Sequence, residues 1–140
     1  RAMAMAAVRP TTGFTLVELA VVCAMAGVLA AVAVPSYQHH LLRSGRADAV
    51  DALTRLQMAQ AQYHAAHGLY ATELTALRGV PQPASAQGLY VLAVVASGDG
   101  YRATAVAQGR QRRDTDCSAL SVELAHGFTH FGPSARCWNR

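Results

Sequence analysis

Residues Phe14 to Val34, FTLVELAVVCAMAGVLAAVAV, form an apolar run whose one charge, Glu18, lies near its start. From Leu19 through Leu42 no Asp, Glu, Lys or Arg occurs. As a helix at ~1.5 Å per residue the run spans roughly 31 Å, which matches a hydrocarbon core of about 30 Å. Three readings compete. A core helix fits least, because a chain of 140 residues rarely encloses a helix that is apolar on every side. A cleavable secretory signal finds an A-x-A pattern at Ala31-Val32-Ala33, but the run is longer than an h-region of about 7–15 residues. A membrane anchor fits best.

Charge and cysteine placement bound the rest. All twelve basic residues are Arg, giving a formal charge of +4. Arg1 and Arg9 precede the run, and without residues 1–13 ten arginines face eight acids. That balance is a weak argument for a polyanion partner. The sequence begins with Arg, so the expectation is a partial leader whose true start lies upstream. Arg1 and Arg9 before the run nearly balance Arg43 and Arg46 after it, so the flanks alone do not orient the span. Cys117 and Cys137 bracket a turn-rich C-terminal stretch and suggest a disulfide in an oxidising compartment, against the alternative of free thiols. That pair places the C-terminal part outside. Cys23, inside the run, reads as a small hydrophobe.

Gly13-Phe14-Thr15-Leu16-Val17-Glu18, followed by an apolar stretch ending at Pro35, closely resembles the leader region of type IV pilins. The resemblance implies prepilin-peptidase cleavage between Gly13 and Phe14, N-methylation of Phe14, and a kink at Pro35. Thr12 stands where many family members carry Lys or Arg. A carboxylate in the membrane costs of the order of 2.5–3.5 kcal/mol at a helix centre and wants a partner. The resemblance supplies one for Glu18: the terminal amine of Phe14 in a neighbouring subunit, a pairing that would set filament register. Without it, Glu18 snorkels to the headgroups.

After Pro35 the pattern becomes amphipathic. Leu42, Val50, Leu53, Leu56, Ala59, Tyr63 and Ala66 recur at threes and fours, with Arg43, Asp48, Asp51, Arg55 and Gln62 expected opposite. Gly68 supplies a C-terminal stop. A connector with a short helical turn leads to expected strands at Leu89–Ala96, Tyr101–Ala107 and Ser118–Leu124, the first two joined through SGDG. A helix laid across a small antiparallel sheet is an α+β fold. The tail from Asp114 onward resembles the disulfide-bounded region of minor pilins from Gram-negative type IV pili. The expected segments are a cleaved leader (1–13), a membrane or filament-core half-helix (14–35), an amphipathic half-helix (36–68), a connector (69–87), and a sheet with its disulfide-bounded region (88–140).

Nothing in the sequence reads as catalysis: GxSxG, HExxH and phosphate-cradling glycine loops are absent. No metal or cofactor is expected, and the six histidines read as surface residues. The cluster Arg110, Arg112 and Arg113 could contact DNA phosphates, but a solvated loop partly offset by Asp114 and Asp116 is the preferred reading. The whole therefore implies a pilus subunit, a minor one rather than the major one. Its partners would be other pilin subunits, the peptidase and methylase, the inner-membrane assembly machinery and the lipid bilayer. It would reside in the inner membrane with its N-terminus cytoplasmic and its head periplasmic, then in the surface pilus. A type II secretion pseudopilin and a DNA-receptor pilin are the alternatives.

Overall fold

The computed structural model describes residues 13–139, so the segment 1–12, with Arg1 and Arg9, lies outside the described residues. Helix α1 runs Leu16–His67 with Pro35 inside it. Four strands follow: β1 Tyr90–Ser97, β2 Gly100–Ala107, β3 Ala119–Ala125 and β4 Phe128–Gly132. They form one antiparallel sheet in the order β1-β2-β3-β4. The chain divides into two compact units between Tyr37 and Gln38.

In the first unit every described residue is exposed, including Leu16, Val22, Met25, Leu29 and Val32. The helix is long and apolar enough here to cross a membrane. It starts where Thr15 Oγ1 accepts the Glu18 amide at 3.1 Å, an N-cap bond. Glu18 thus sits at the third helical position of a Thr-x-x-Glu sequence, where a carboxylate favours the helix N-terminus. This local role for Glu18 is additional to the filament charge expected from the resemblance.

The second unit has its own core. Ala49, Ala52, Leu53, Leu56 and Ala59 of α1 meet Tyr90 and Leu92 of β1, Ala103 and Ala105 of β2, and Leu120 and Val122 of β3. Register explains the shared face: Leu92 pairs with Ala105 and Ala105 with Leu120, while Ala103 joins Val94 to Val122. Period-two alternation then puts each set on one side. Full burial of Leu53, Leu56 or Leu120 contributes about 1.5–3 kcal/mol each. α1 ends at Gly68, whose positive φ and amide bond to His64 O at 2.8 Å make the stop.

Three expectations are corrected. The buried stripe of α1 is centred on Gly45, Ala49, Ala52, Leu53 and Leu56, and Ala66 is exposed. Asp48, expected on the polar face, is buried: it accepts the Ser85 hydroxyl and the amides of Gln87 at 3.1 Å and Leu89 at 3.4 Å. Ser85 in turn accepts the Tyr90 amide at 3.0 Å, so one carboxylate moors the connector to the helix. The sheet also has a fourth strand. Ala125 pairs with Phe128 across a two-residue turn, His126-Gly127, both at positive φ. A hairpin turn of this length with two positive φ angles is favourable because its twist matches that of the strands.

The sheet edges differ. Along β1 the connector closes the edge through the Ala84–Val91 bridge and the bonds Leu92 N to Pro83 O and Ser85 N to Tyr90 O. β4 is the other edge. At its end Trp138 Nε1 donates to Gly132 O at 2.8 Å, Pro133 follows, and Phe131 stacks edge-on with Trp138 at 4.7 Å.

Candidate functional site

Two places carry the residues singled out from sequence. At the N-terminus, Gly13, Phe14 and Thr15 precede the helix in irregular, exposed backbone, with Phe14 82 % exposed. Glu18 begins the apolar surface, and Cys23 is an exposed free thiol within it.

The second place is the turn after β2. Residues Gly109–Arg113 form a 3₁₀ turn in which Arg110, Arg112 and Arg113 are exposed and Gln111 is buried. The periodicity of such a turn sends one side chain inward while its neighbours face water. Arg112 Nη2 donates to Gln108 Oε1 at 3.0 Å. Neither nearby acid forms an ion pair with this cluster among the described residues. Asp114 is buried and accepts two bonds from Arg46, Nε at 2.6 Å and Nη2 at 2.8 Å. Asp116 accepts Arg136 Nη2 at 3.1 Å. Asp114 holds the Arg46 pKa above its ordinary value, first through the hydrogen bond and against the opposing effect of burial.

The pairing also gathers charges that are far apart in sequence. Arg43, Arg46, Arg113, Asp114, Asp116 and Arg136 line one groove of about 670 Å³. Arg46 and Arg136 have acidic partners, whereas Arg43 and Arg113 have no acidic partner among the described residues. The groove therefore carries net positive charge, with Arg113 as the member that also belongs to the 3₁₀ turn. Such guanidinium clusters suit phosphate oxygens. Arg110 and Arg112 do not line it. Sequence reasoning missed Arg43 and Arg136 as companions of Arg113, since nothing local links positions on three separate elements.

Cys117 and Cys137 form a disulfide, with Cα atoms 5.5 Å apart, that ties the segment after the arginine turn to the C-terminal tail. Both are buried beside Leu120 and Trp138 in the core. The histidines of the helix end stack on aromatics: His67 on Tyr63 at 4.1 Å and His64 on Tyr70 at 4.3 Å. His67 Nδ1 also lies 3.0 Å from Tyr63 O.

Comparison with known proteins agrees with this architecture. The model of a family described as "Type IV minor pilin ComP, DNA uptake sequence receptor" matches residues 35–121. The chain is 35 % identical over 107 residues to the fimbrial protein EcpC of Eikenella corrodens, covering 71 % of this chain and 68 % of that protein. It is 38 % identical over 79 residues to the type IV major pilin protein PilE of Neisseria gonorrhoeae, covering 56 % and 47 % respectively. A fimbrial protein of Neisseria meningitidis is 37 % identical over 82 residues, covering 59 % and 48 %. The chain thus spans about half the length of the PilE and meningococcal relatives. These relatives are pilins and fimbrial proteins, not enzymes. With an exposed apolar half-helix, a helix-on-sheet head and these matches, the chain belongs to the type IV pilin family.

Proposed function

We propose that this pilin is a minor subunit of a type IV pilus and that its arginine surface binds DNA during uptake. The observation that carries the reading is the family match itself, which covers residues 35–121 and so includes Arg43 and the whole arginine turn. From sequence alone a solvated loop was the better account of Arg110, Arg112 and Arg113. Two findings favour DNA instead: the acids expected to neutralise the turn are engaged by Arg46 and Arg136, and the family description is that of a DNA receptor. Double-stranded DNA is bound largely through its phosphates, so such a surface gives salt-dependent affinity.

The reading includes maturation by cleavage between Gly13 and Phe14 and N-methylation of Phe14. The apolar half-helix then holds the subunit in the inner membrane, head outward, until assembly packs it among other subunits. There Glu18 pairs with a neighbouring Phe14 amine. An apolar surface exposed among the described residues supports both settings, lipid and filament core.

The test is a gel-shift titration of duplex DNA with the full mature chain in detergent. Charge reversal at Arg112 and Arg113 should weaken the shift and flatten its salt dependence; an unchanged shift rejects the DNA reading. A second reading, a purely structural subunit, is favoured by the major-pilin relatives and predicts that the parent protein gives no shift. Mass spectrometry of protein from cells tests maturation: methylated Phe14 at the N-terminus is expected, and retention of Gly13 overturns it.

A further inference from the structure

Among the described residues, Gln111 hydrogen-bonds the arginine turn to α1 and fills a gap left by a glycine. Gln111 is fully buried, and its Nε2 donates to the Leu42 carbonyl of α1 at 2.8 Å. Its amide lies over Gly45: a Cβ there would meet Gln111 Oε1 at 2.2 Å and Cδ at 2.8 Å. No side chain larger than hydrogen fits at position 45 while Gln111 keeps this place. Gln111 Nε2 also lies 3.5 Å from Asp114 Oδ2, the carboxylate held by Arg46. Beside it stands the buried Tyr90 phenol of β1, which neighbours the Gln111 amide. One residue of the turn thus touches the helix, and the residue after the turn is bound to the same stretch of it.

We propose that Gln111, seated over Gly45, is a positioning residue that fixes Arg112 and Arg113 in one arrangement, so that Arg113 faces Arg43 and Arg136 across the groove when DNA phosphates bind. The inference rests on the DNA reading above and adds a residue that touches no phosphate. Without the latch, the two arginines on either side of Gln111 and Arg113 remain charged and exposed but hold no fixed spacing. Charge count is unaltered; geometry is lost. That separates Gln111 from the arginines themselves.

The experiment uses the full mature chain in detergent with three variants: Gln111→Ala, Gly45→Ala and the double substitution. Two quantities are read. The first is hydrogen exchange at the Gln111 and Asp114 amides, which bond Gln108 O and Gln111 O at 3.0 Å each. The second is the salt slope of affinity for a mixed-sequence duplex between about 50 and 200 mM salt, where each lost phosphate contact removes about 0.9 from the slope.

Each single variant should speed exchange at those amides while the β2 and β3 amides keep theirs. Each should also lower the slope by about one contact and weaken binding about tenfold. The double variant should be no worse than either single one, because both break the same contact. A variant that merely unfolds in part lowers the active fraction and leaves the slope of the remaining molecules unchanged; that result overturns the positioning role. Unchanged exchange overturns the latch whether or not DNA binds. Absence of any parent binding rejects the DNA reading and, with it, the functional role of Gln111, while the exchange arm still decides the latch itself.

Discussion

The two ends of α1 carry similar residues in different surroundings. Before Pro35, Leu29 is 71 % exposed, whereas Leu53 and Leu56 farther along are at 0 %. The first stretch is uniform around its circumference, so no face is marked for a partner element. The second is mixed, and its small residues Gly45, Ala49 and Ala52 let other elements come close. Composition around the helix, more than hydrophobicity itself, decides which part builds a core.

The contrast is sharpened most by the buried ion pair of the head. Asp114→Ala leaves the Arg46 charge without its partner and should cost about 3–5 kcal/mol, read as a lowered denaturant midpoint of the head. Next comes a matched pair of leucines. Leu53→Ala should destabilise the head by about 2–5 kcal/mol, while Leu29→Ala should leave its unfolding unchanged. Equal effects at the two sites would break the comparison.

A smaller effect concerns alkaline pH. Burial pushes the Tyr90 phenol up to about 12, against the pull of the neighbouring Gln111 amide, and it pushes Tyr101 up to about 12 as well. The folded state therefore holds these protons more tightly than the unfolded state, whose ordinary value is 10.0. Their contribution is fully present below pH 10.0 and is lost as pH rises toward about 12. Melting followed across that range should show the loss, and Tyr90→Phe should soften it with little change at neutral pH. The smallest effect is at the exposed Asp51–Arg55 pair, 2.9 Å apart, where Asp51→Ala should cost only about 0.3–0.5 kcal/mol.

Local patterns carried much of this structure. The apolar run, the Gly68 stop, the short turn at Leu74–Ala76 and three of the strands were readable, each strand within about one residue of its observed bounds. Cys117 and Cys137 were readable as a pair because no other cysteines lie outside the run. β4 was missed because it is short and its turn is His-Gly, a weaker signal than Asn-Gly. Asp48 was misplaced, and the burial of Arg46 and Gln111 went unread, for one shared reason: each is a polar residue made tolerable inside by partners 37 to 69 positions away. Periodicity sees a carboxylate or a guanidinium as surface, and only tertiary pairing reverses that. The candidate site was half legible. Arg110, Arg112 and Arg113 stood out, but the pairing of Asp114 and Asp116 with Arg46 and Arg136, and the company of Arg43 and Arg136, did not.

The sheet margins have a consequence for crowded conditions. A bare strand border invites a second molecule to zip on, a hazard that grows with local concentration. Here one border is stitched shut by Pro83, Ala84 and Ser85, and the other offers a strand of five residues whose far end is occupied by the Trp138 indole and followed by Pro133. Copies of this head can therefore be packed shoulder to shoulder without fusing into a common sheet.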